Sequence, residues 1–547
     1  MSVIDLQNTA LGIELGSTRI KACLIDSDTH EVLGTGSFEW ENALEGGLWT
    51  YSLDAVWNGL RAAVAELADA IRMQHGQELS NVGALGISAM MHGYLAFDAD
   101  GELLVPFRTW RNTNTGVAAA ELSEVLGVNI PLRWSIAHLH QAITDGEEHV
   151  SRVAFVTTLA GYVHWKLTGR RVLGVGDASG MFPIDPATHD YDDELVARYD
   201  ALAAAVAVAC PEPVEGRVER AIPVLRDLMP EVLVAGADAG ELTAEGAALL
   251  DPSGTLQAGI PLCPPEGDAG TGMVATGAVA PRTGNVSAGT SIFAMVVLEH
   301  RLSQVHDELD IVTTPAGDEV AMVHCNNGAS ELAAWAGLFG RFAAAAGTPL
   351  EPDAVYAALF AEAAQADADA GRVVAYNHLS GEPLAGLDEG RPLVVRTPDA
   401  SFTLGTFVRA QLYAAFGTLA LGMRVLDAEN VQLDSMYAHG GMFRTASVAQ
   451  RFLAAALKAP VTVGETASEG GAWGIAVLAA YLGSDMPLGA YLRDRVFADA
   501  QVSTVDPDPS DVDGFDSFLT RYEVGLDIER AAIAALAIQS TPQENNA

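Results

Sequence analysis

The stretch LGIELGSTRIKACLID, residues 11–26, places the polar triplet Gly16-Ser17-Thr18 between two apolar runs that alternate as strands do. Glycine allows a tight turn and lets backbone amides approach a ligand. The hydroxyls of Ser17 and Thr18 and the positive charge of Arg19 add further donors. The triplet therefore suits an anion, and a phosphate in particular. A plain two-strand hairpin with a glycine turn explains the same pattern.

A second stretch of the same kind is VSAGTSIFAMVV, residues 286–297, in which Gly289-Thr290-Ser291 again lies between apolar runs. Its glycine follows Gly16 by 289 − 16 = 273 residues, almost half of the 547-residue chain. An offset of that size predicts two similar halves, each with a turn that faces a phosphate.

Composition limits the classes of partner. A chain of 547 residues with 49% hydrophobic residues exceeds what one core usually supports, so two large domains are expected. The 71 acidic and 30 basic residues give a formal charge of −41, which would repel a nucleic-acid backbone and an anionic membrane surface. The four cysteines lack metal-like spacing and the first residues do not resemble a signal peptide, which predicts a cytoplasmic protein.

Strand and helix signals alternate along the chain. The stretch from Asp54 onward predicts a helix with Asp54 as N-cap, followed by a buried strand in VGALGISA. Its apolar residues recur at helical spacing: Val56, Leu60, Ala63, Val64, Leu67 and Ile71. Proline and glycine punctuation near residue 255 predicts domains at 1–255 and 256–547, and CPEPVEGRVER at residues 210–220 predicts a surface insertion. The predicted fold class is α/β.

Several motifs in order resemble the FGGY carbohydrate kinases: GIELGSTRIK, MMHGYLAFD, GDASGMFPID, EGDAGTGMVATGAV, VSAGTSIF, AHGGMF and ASEGGAWGIAVLAAY. The MHG within them is most similar to the xylulokinase branch. The resemblance implies two actin-like ATPase domains, of the ribonuclease H-like kind, that flank a central cleft. It implies a sugar site mainly in residues 1–255 and an ATP site mainly in residues 256–547.

Phosphoryl transfer to a sugar hydroxyl needs a base, a divalent cation and donors for the transferring group. Asp268 follows an apolar run and lies among glycines, where a carboxylate can project into a crevice; as a residue pattern alone it also fits an aspartate that caps its own turn. The resemblance makes Asp268 the catalytic base. It also implies that ATP is bound by Gly16, Ser17, Thr18, Arg19, Gly289, Thr290, Ser291, Gly440 and Gly441, with Gly470, Gly471 and Gly474 beside the adenosine.

For the sugar, Met91 and His92 match the substrate-contacting pair of the xylulokinase branch, and Trp110 could stack on a sugar face or pack in the core. Asp177 and Asp185 match family positions but fit loop ordering better. Three positions depart from the family pattern. Glu14, the expected Mg²⁺ ligand, and Asn112, an expected sugar contact, each replace an aspartate, and SGEP at residues 380–383 lacks an arginine.

These observations predict an ATP- and Mg²⁺-dependent kinase that phosphorylates a terminal hydroxyl of a ketopentose such as D-xylulose, with Asp268 also touching the sugar. Another ketose or polyol, such as ribulose, is the alternative substrate. A different class, an actin- or Hsp70-like ATPase module that acts on a protein partner, shares the phosphate turns. The expected partner is a small sugar, without nucleic acid or membrane, and a homodimer is allowed for.

Overall fold

A computed structural model describes residues 4–209, 224–444, 447–464 and 470–536, and the predicted insertion at residues 210–220 lies outside them. The strands are β1 (Thr9–Leu15), β2 (Arg19–Asp26), β3 (Val32–Glu39), β4 (Ala43–Glu45), β5 (Leu48–Thr50), β6 (Ala84–Ala89), β7 (Leu95–Phe97), β8 (Phe155–Thr157), β9 (Val172–Gly174), β10 (Ile184–Asp185), β11 (Asp190–Tyr191), β12 (Glu231–Leu233), β13 (Glu266–Gly267), β14 (Thr283–Ala288), β15 (Ile292–Val297), β16 (Asp310–Thr313), β17 (Glu319–Cys325), β18 (Val373–Tyr376), β19 (Leu393–Arg396), β20 (Ser435–His439), β21 (Val461–Gly464) and β22 (Val502–Val505).

The α-helices are α1 (Leu53–His75), α2 (Gly116–Leu126), α3 (Ser135–Thr144), α4 (Leu159–Thr168), α5 (Val175–Ala178), α6 (Asp193–Ala209), α7 (Leu225–Leu228), α8 (Ala244–Leu250), α9 (Asp268–Thr276), α10 (Ser330–Ala345), α11 (Pro352–Gln365), α12 (Leu404–Ala428), α13 (Val448–Leu457), α14 (Gly471–Ala480), α15 (Leu488–Tyr491) and α16 (Pro509–Ala535). The predicted α/β class is confirmed. Of the helices in the described ranges, none combines the length and the apolar character that a bilayer crossing requires.

Residue contacts divide the chain into two compact units. Unit 1 comprises residues 1–281, 301–321 and 465–500, and unit 2 comprises residues 282–300, 322–464 and 501–547. The domain boundary expected near residue 255 therefore falls inside unit 1. Residues 256–281 lie with unit 1 because β13 pairs in parallel with β6, through Glu266 opposite Ser88 and Gly267 opposite Ala89.

The main sheet of unit 1 has the strand order β13-β6-β1-β2-β3. Strands β13, β6 and β1 run parallel, whereas β1, β2 and β3 form an antiparallel meander. Helix α1 buries the apolar face that the sequence predicts, including Val56, Leu60 and Ile71. Its N-cap is Ser52, whose side chain accepts from the amide of Ala55, and the predicted cap at Asp54 is wrong by two residues. A serine oxygen binds the first-turn amides as well as an aspartate does.

The sheet of unit 2 contains the strand order β17-β15-β14-β20-β21-β22. Its strand β14 pairs antiparallel with β15 and parallel with β20, as β1 pairs with β2 and β6 in unit 1. Strand β21 continues the parallel half beside β20, as β13 does beside β6. The two sheets thus share one topology, as the 273-residue offset predicts.

The two hairpins differ by one residue in their turns. In unit 1 the last pair is Leu15 opposite Ile20, so residues 16–19 form the turn. In unit 2 the last pair is Ala288 opposite Ile292, so residues 289–291 form the turn. Arg19 therefore has no counterpart in unit 2, and the positive charge belongs to the first turn alone.

Helix α14 packs directly on β1 at Gly12. A Cβ atom at Gly12 would lie 2.1 Å from the carbonyl oxygen of Ala472 and 2.6 Å from the amide nitrogen of Ala476. Both neighbours are backbone atoms of α14, which a small side-chain movement cannot displace. The absence of a side chain at Gly12 therefore sets how closely this helix approaches the sheet.

We expect Gly12→Ala to lower the free energy of unfolding by about 1–3 kcal/mol, because overpacking a core forces backbone shifts. Urea unfolding followed by circular dichroism measures the effect. Gly337→Ala is the matched control, since a Cβ there meets no atom within 4 Å and alanine favours a helix interior. Equal losses in the two variants would contradict the close packing at Gly12.

Candidate active site

The predicted site residues of unit 1 meet at one edge of its sheet. Strands β1, β6 and β13 are parallel neighbours, so their carboxyl ends lie side by side. Glu14 lies near the end of β1, Met91 and His92 follow β6, and Asp268 follows β13. The structure therefore brings together the expected metal ligand, the expected sugar contacts and the expected base.

Asp268 is the first residue of α9 and remains accessible to solvent. Its Oδ1 accepts a hydrogen bond of 3.1 Å from the amide of Met91, which fixes the carboxylate next to the end of β6. Desolvation by the surrounding protein raises the pKa of Asp268, and the hydrogen bond from Met91 opposes that rise. A carboxylate with a raised pKa is a stronger base than an ordinary aspartate.

Glu14 lies against α14 and α9. A Cβ atom at Gly471 would lie 2.4 Å from Glu14 Oε1 and 2.9 Å from Thr271 Oγ1, so both side chains converge on this glycine. The hydroxyl of Thr271 is also 3.1 Å from that of Ser88, which pairs with Glu14 across β1 and β6. The sequence analysis does not include Ser88 or Thr271, because isolated hydroxyls in apolar strands and helices carry no motif.

This donor set fits Mg²⁺ in one respect. Magnesium usually takes one or two protein carboxylates and fills its remaining positions with water and substrate phosphates. The half-buried Glu14 carboxylate would supply one such oxygen ligand at the sheet edge. Within the described ranges no cluster of three His, Cys, Asp or Glu side chains is arranged as a complete metal site. Glu14 would therefore hold the ion together with the phosphates.

The first phosphate turn is anchored through its carbonyl groups. Trp40 Nε1 donates to the carbonyl of Gly16 (2.7 Å), and Tyr51 Oη donates to that of Ser17 (2.6 Å). The two aromatic rings stack with centroids 4.2 Å apart. The amide of Gly16 donates within the turn, to the carbonyl of Arg19, and Gly16 does not have a positive φ. The exposed hydroxyls of residues 17 and 18 are thus the groups that the turn presents, with Arg19, which forms an exposed pair with Glu39.

His92 is buried and has a φ of 71°, which is unusual for a residue with a side chain. Its Nδ1 is 3.3 Å from the carbonyl oxygen of Gly180 and its ring stacks on Trp134. A neutral ring that donates from Nδ1 has Nε2 as its acceptor nitrogen, which suits a hydroxyl group. Backbone strain of this kind is often retained at functional sites.

The segment that holds Trp110 and Asn112 pairs with the chain after His92, through backbone hydrogen bonds between Tyr94 and Arg108. Trp110 is 39% exposed, so it is available to stack on a ligand. Asn112 is buried, and its amide is used by the protein. Its Oδ1 accepts from Trp49 N (2.8 Å), and its Nδ2 donates to the carbonyls of Trp49 (2.9 Å) and Thr109 (3.0 Å). In this geometry the Asn112 amide holds β5, and the expected sugar contact of Asn112 stays a prediction.

In unit 2 the Gly440-Gly441 segment lies next to the second turn, residues 289–291. Gly440 has a φ of 120°, and a Cβ there would lie 2.1 Å from the carbonyl oxygen of Ala288, at the end of β14. Thr290 is exposed, Ser291 is half-buried, and Gly289 donates its amide to the carbonyl of Ser291. The unit therefore holds the predicted phosphate turn and the predicted adenosine loop in direct contact.

A buried network supports this turn from behind. The amide of Gly328 donates to the carbonyl of Thr290 (2.7 Å). The neighbouring Asn327 donates from its amide nitrogen Nδ2 (3.0 Å) and its backbone (3.2 Å) to Glu382 Oε2. Glu382 belongs to the SGEP motif and is fully buried. The sequence analysis marks only the missing arginine of this motif, whereas its glutamate orders the loop beside the turn.

The remaining predicted residues lie in unit 1. Gly471 and Gly474 begin α14, and a Cβ at Gly474 would lie 2.2 Å from the carbonyl oxygen of Thr271. These glycines allow α14 to pack on α9 and beside Glu14. Asp185 accepts from the amide of Ala187 (3.0 Å) in a surface turn, as expected of a loop-ordering residue.

Comparison with known proteins agrees with these observations. Residues 9–206 match the N-terminal domain of the FGGY family of carbohydrate kinases, and residues 284–483 match the C-terminal domain. The xylulose kinase of Escherichia coli strain K12 is 25% identical over 305 residues, which are 54% of this chain and 55% of that protein. The chain thus spans about half or less of the curated relatives it matches.

Solved structures match nearly the whole fold. The xylulose kinase of Rhodospirillum rubrum has a TM-score of 0.73 at 22% identity, covering 96% of this chain and 99% of its own. A gluconate kinase from Lactobacillus acidophilus also has a TM-score of 0.73, at 16% identity, covering 96% and 98%. The predicted actin-like fold is confirmed by these neighbours. The chain belongs to the FGGY family of carbohydrate kinases, near its xylulokinase branch.

Proposed function

We propose that the protein transfers the γ-phosphoryl group of ATP to a terminal hydroxyl of a ketopentose, with D-xylulose as the first candidate. The observation that carries the proposal is the position of Asp268. Its carboxylate lies at the shared carboxyl edge of β1, β6 and β13, is fixed by the amide of Met91, and has a raised pKa. This edge also carries Glu14 and His92.

In this proposal Asp268 accepts the proton of the attacking hydroxyl, and the His92 ring contacts another hydroxyl of the sugar. Met91 lines the same site and Trp110 stacks on an apolar face of the sugar. Asn112 is not given a sugar contact, because its amide is bonded to the backbone of Trp49 and Thr109.

Each unit offers a turn whose side chains suit a phosphate of ATP. In unit 1 these are the hydroxyls of Ser17 and Thr18, with Arg19, and in unit 2 those of Thr290 and Ser291. The segment Gly440-Gly441 accommodates the adenosine side. Mg²⁺, held by Glu14 and the phosphates, would neutralise charge on the transferring group.

The sugar itself is the finer part of the proposal. Relatives with the same fold are named xylulose kinases, but a gluconate kinase shares the fold to the same degree. Another ketose or polyol, such as ribulose, is therefore the competing substrate. An ATPase module that acts on a protein partner is disfavoured by family membership and by the sugar-side residues Met91 and His92.

A substrate panel tests the proposal. We expect ADP release to depend on added sugar and to be fastest with D-xylulose, among D-xylulose, ribulose, gluconate and glycerol. We expect His92→Ala to raise the sugar KM by more than tenfold while the ATP KM changes less than about threefold, since a lost hydrogen bond to a buried site costs about 1–3 kcal/mol. Met73→Ala, at an exposed helix position, is the control.

Two results would contradict the proposal. ADP release that ignores every sugar would favour the ATPase class. A change confined to the ATP KM in His92→Ala would remove His92 from the sugar site.

Asp268→Asn should lower kcat by about 10²–10⁴-fold, the usual contribution of a positioned general base, while ATP still binds. For the native enzyme, kcat/KM should fall as the pH drops through the raised pKa of Asp268, because the protonated acid cannot accept the hydroxyl proton. The acid limb therefore lies above the ordinary range of an aspartate. Asp185→Asn is the matched control, and turnover of Asp268→Asn within a few-fold of the native rate would refute the base role.

Asn112→Asp should act on stability and not on sugar choice. It would turn an N–H group that donates to the carbonyls of Trp49 and Thr109 into an acceptor, which costs about 1–3 kcal/mol in unfolding free energy. Thermal unfolding and the ratios of kcat/KM over the panel measure the two effects, with exposed Asn114→Asp as the control. Altered sugar ratios without a loss of stability would restore Asn112 as a sugar contact.

A further inference from the structure

Two buried carboxyl groups lie directly behind Asp268 in unit 1. Asp177, in α5, is fully buried, and Glu266, in β13, is 1% exposed. The proposed mechanism uses neither of them. Buried carboxylates are costly unless a cation or several hydrogen bonds compensate their charge, so each one calls for a physical account.

The Glu266 carboxyl accepts hydrogen bonds from the backbone of α5. Its Oε2 accepts from the amide of Asp177 (2.9 Å) and its Oε1 from that of Gly176 (3.3 Å). Glycine is needed on both sides, because a Cβ at Gly174 or at Gly176 would lie 2.1 Å or 2.4 Å from a Glu266 oxygen. Both oxygens thus act as acceptors, as the ionised form requires.

The Asp177 carboxyl has a different pattern. Thr158 Oγ1 accepts from the amide of Gly161 (3.2 Å) and donates its single proton to Asp177 Oδ2 (2.6 Å). Asp177 Oδ1 is buried without a hydrogen-bond partner in the described part of the chain. It lies toward Gly267, where a Cβ atom would be 3.2 Å away, immediately before Asp268.

Within the described residues, neither carboxyl of this pair forms a salt bridge with Lys, Arg or His. The titratable groups that face the pair are Asp268 on α9, Tyr191 on β11 and Cys263 just before β13. Burial raises the pKa values of Tyr191 and Cys263, which keeps both neutral. Two ionised carboxylates in this setting would repel each other and Asp268.

We propose that Asp177 carries a proton on Oδ1 while Glu266 is ionised, and that Asp177 is thereby a positioning residue that limits the negative charge beside Asp268. The inference rests on the proposed base role of Asp268. Burial, reinforced by the charge of Asp268, raises the pKa of Asp177 to about 7, which agrees with the hydrogen-bond pattern. Burial, followed by the charge of Asp177, raises the pKa of Glu266 well above its usual range, whereas its two backbone donors oppose that rise; the proton is assigned to Asp177 because both Glu266 oxygens already accept hydrogen bonds.

The chemical consequence is a site whose charge changes with pH. Below pH about 7 Asp177 is neutral, and Asp268 is the accessible carboxylate next to the reacting hydroxyl. Above it, Asp177 ionises and adds a negative charge that opposes an incoming anionic phosphoryl group. Asp177→Asn would imitate the protonated acid at every pH, with the new amide oxygen toward Thr158 and the NH₂ group in place of the proton.

Infrared difference spectra of the native protein and Asp177→Asn test the protonation directly. We expect a protonated-carboxyl band in the native protein below pH about 7 that disappears above it and is missing from the variant. The ratio of kcat of Asp177→Asn to native kcat should rise several-fold across the same pH interval. Asp185→Asn, from the same sequence motif but in a surface turn, should leave the band and the native pH profile in place.

Glu266→Gln provides the contrasting variant. Its NH₂ group would face the backbone N–H of Gly176 or Asp177, so its melting temperature should fall further than that of Asp177→Asn. A band that persists in Asp177→Asn, or a kcat ratio that is flat with pH, would overturn the proposal. Because the infrared measurement needs no substrate, failure of the ketopentose assignment would leave its result intact.

Discussion

The parallel pairing of β13, β6 and β1 is the constraint on which the site depends. Three chain segments that are far apart in sequence end at one edge only because these strands run in one direction and in adjacent register. Helix α14 packs closely at this edge, because Gly12 lets it approach β1 and Gly471 lets it approach Glu14. Small residues at such contacts let helices deliver polar side chains without opening the core.

The sheet of unit 2 also carries a turn between two antiparallel strands, but different residues support that turn. Its turn carries hydroxyls and no arginine, and the carbonyl of Thr290 accepts from the amide of Gly328, whose neighbour Asn327 is bonded to the buried carboxyl of Glu382. In unit 1 the turn is braced by the indole of Trp40 and the phenol of Tyr51. Both arrangements bind turn carbonyls from behind and leave the hydroxyls on the outer side.

Sequence reasoning succeeds here where periodicity or a repeated motif carries the information. The buried face of α1 and the two hairpins follow from spacing, whereas the clustering of Asp268 with Met91 is implied only by the family resemblance. It fails where one hydrogen bond decides between two roles. Nothing in the letters TWRNT shows that Asn112 turns inward to the backbone of Trp49, and nothing before Asp268 shows that Glu266 is buried. Those outcomes depend on tertiary packing.

The extra residue of the first hairpin turn has a consequence for how such an edge can change. Because Leu15 pairs with Ile20 as Ala288 pairs with Ile292, the additional residue is absorbed entirely in the turn, and the strands keep the same faces toward the core. The number of residues in the turn can thus change without altering which strand residues face the core. Insertions or deletions in the turn can change the hydroxyls and charges that it presents while the sheet beneath remains the same, which makes this hairpin a place where proteins of one fold can diverge.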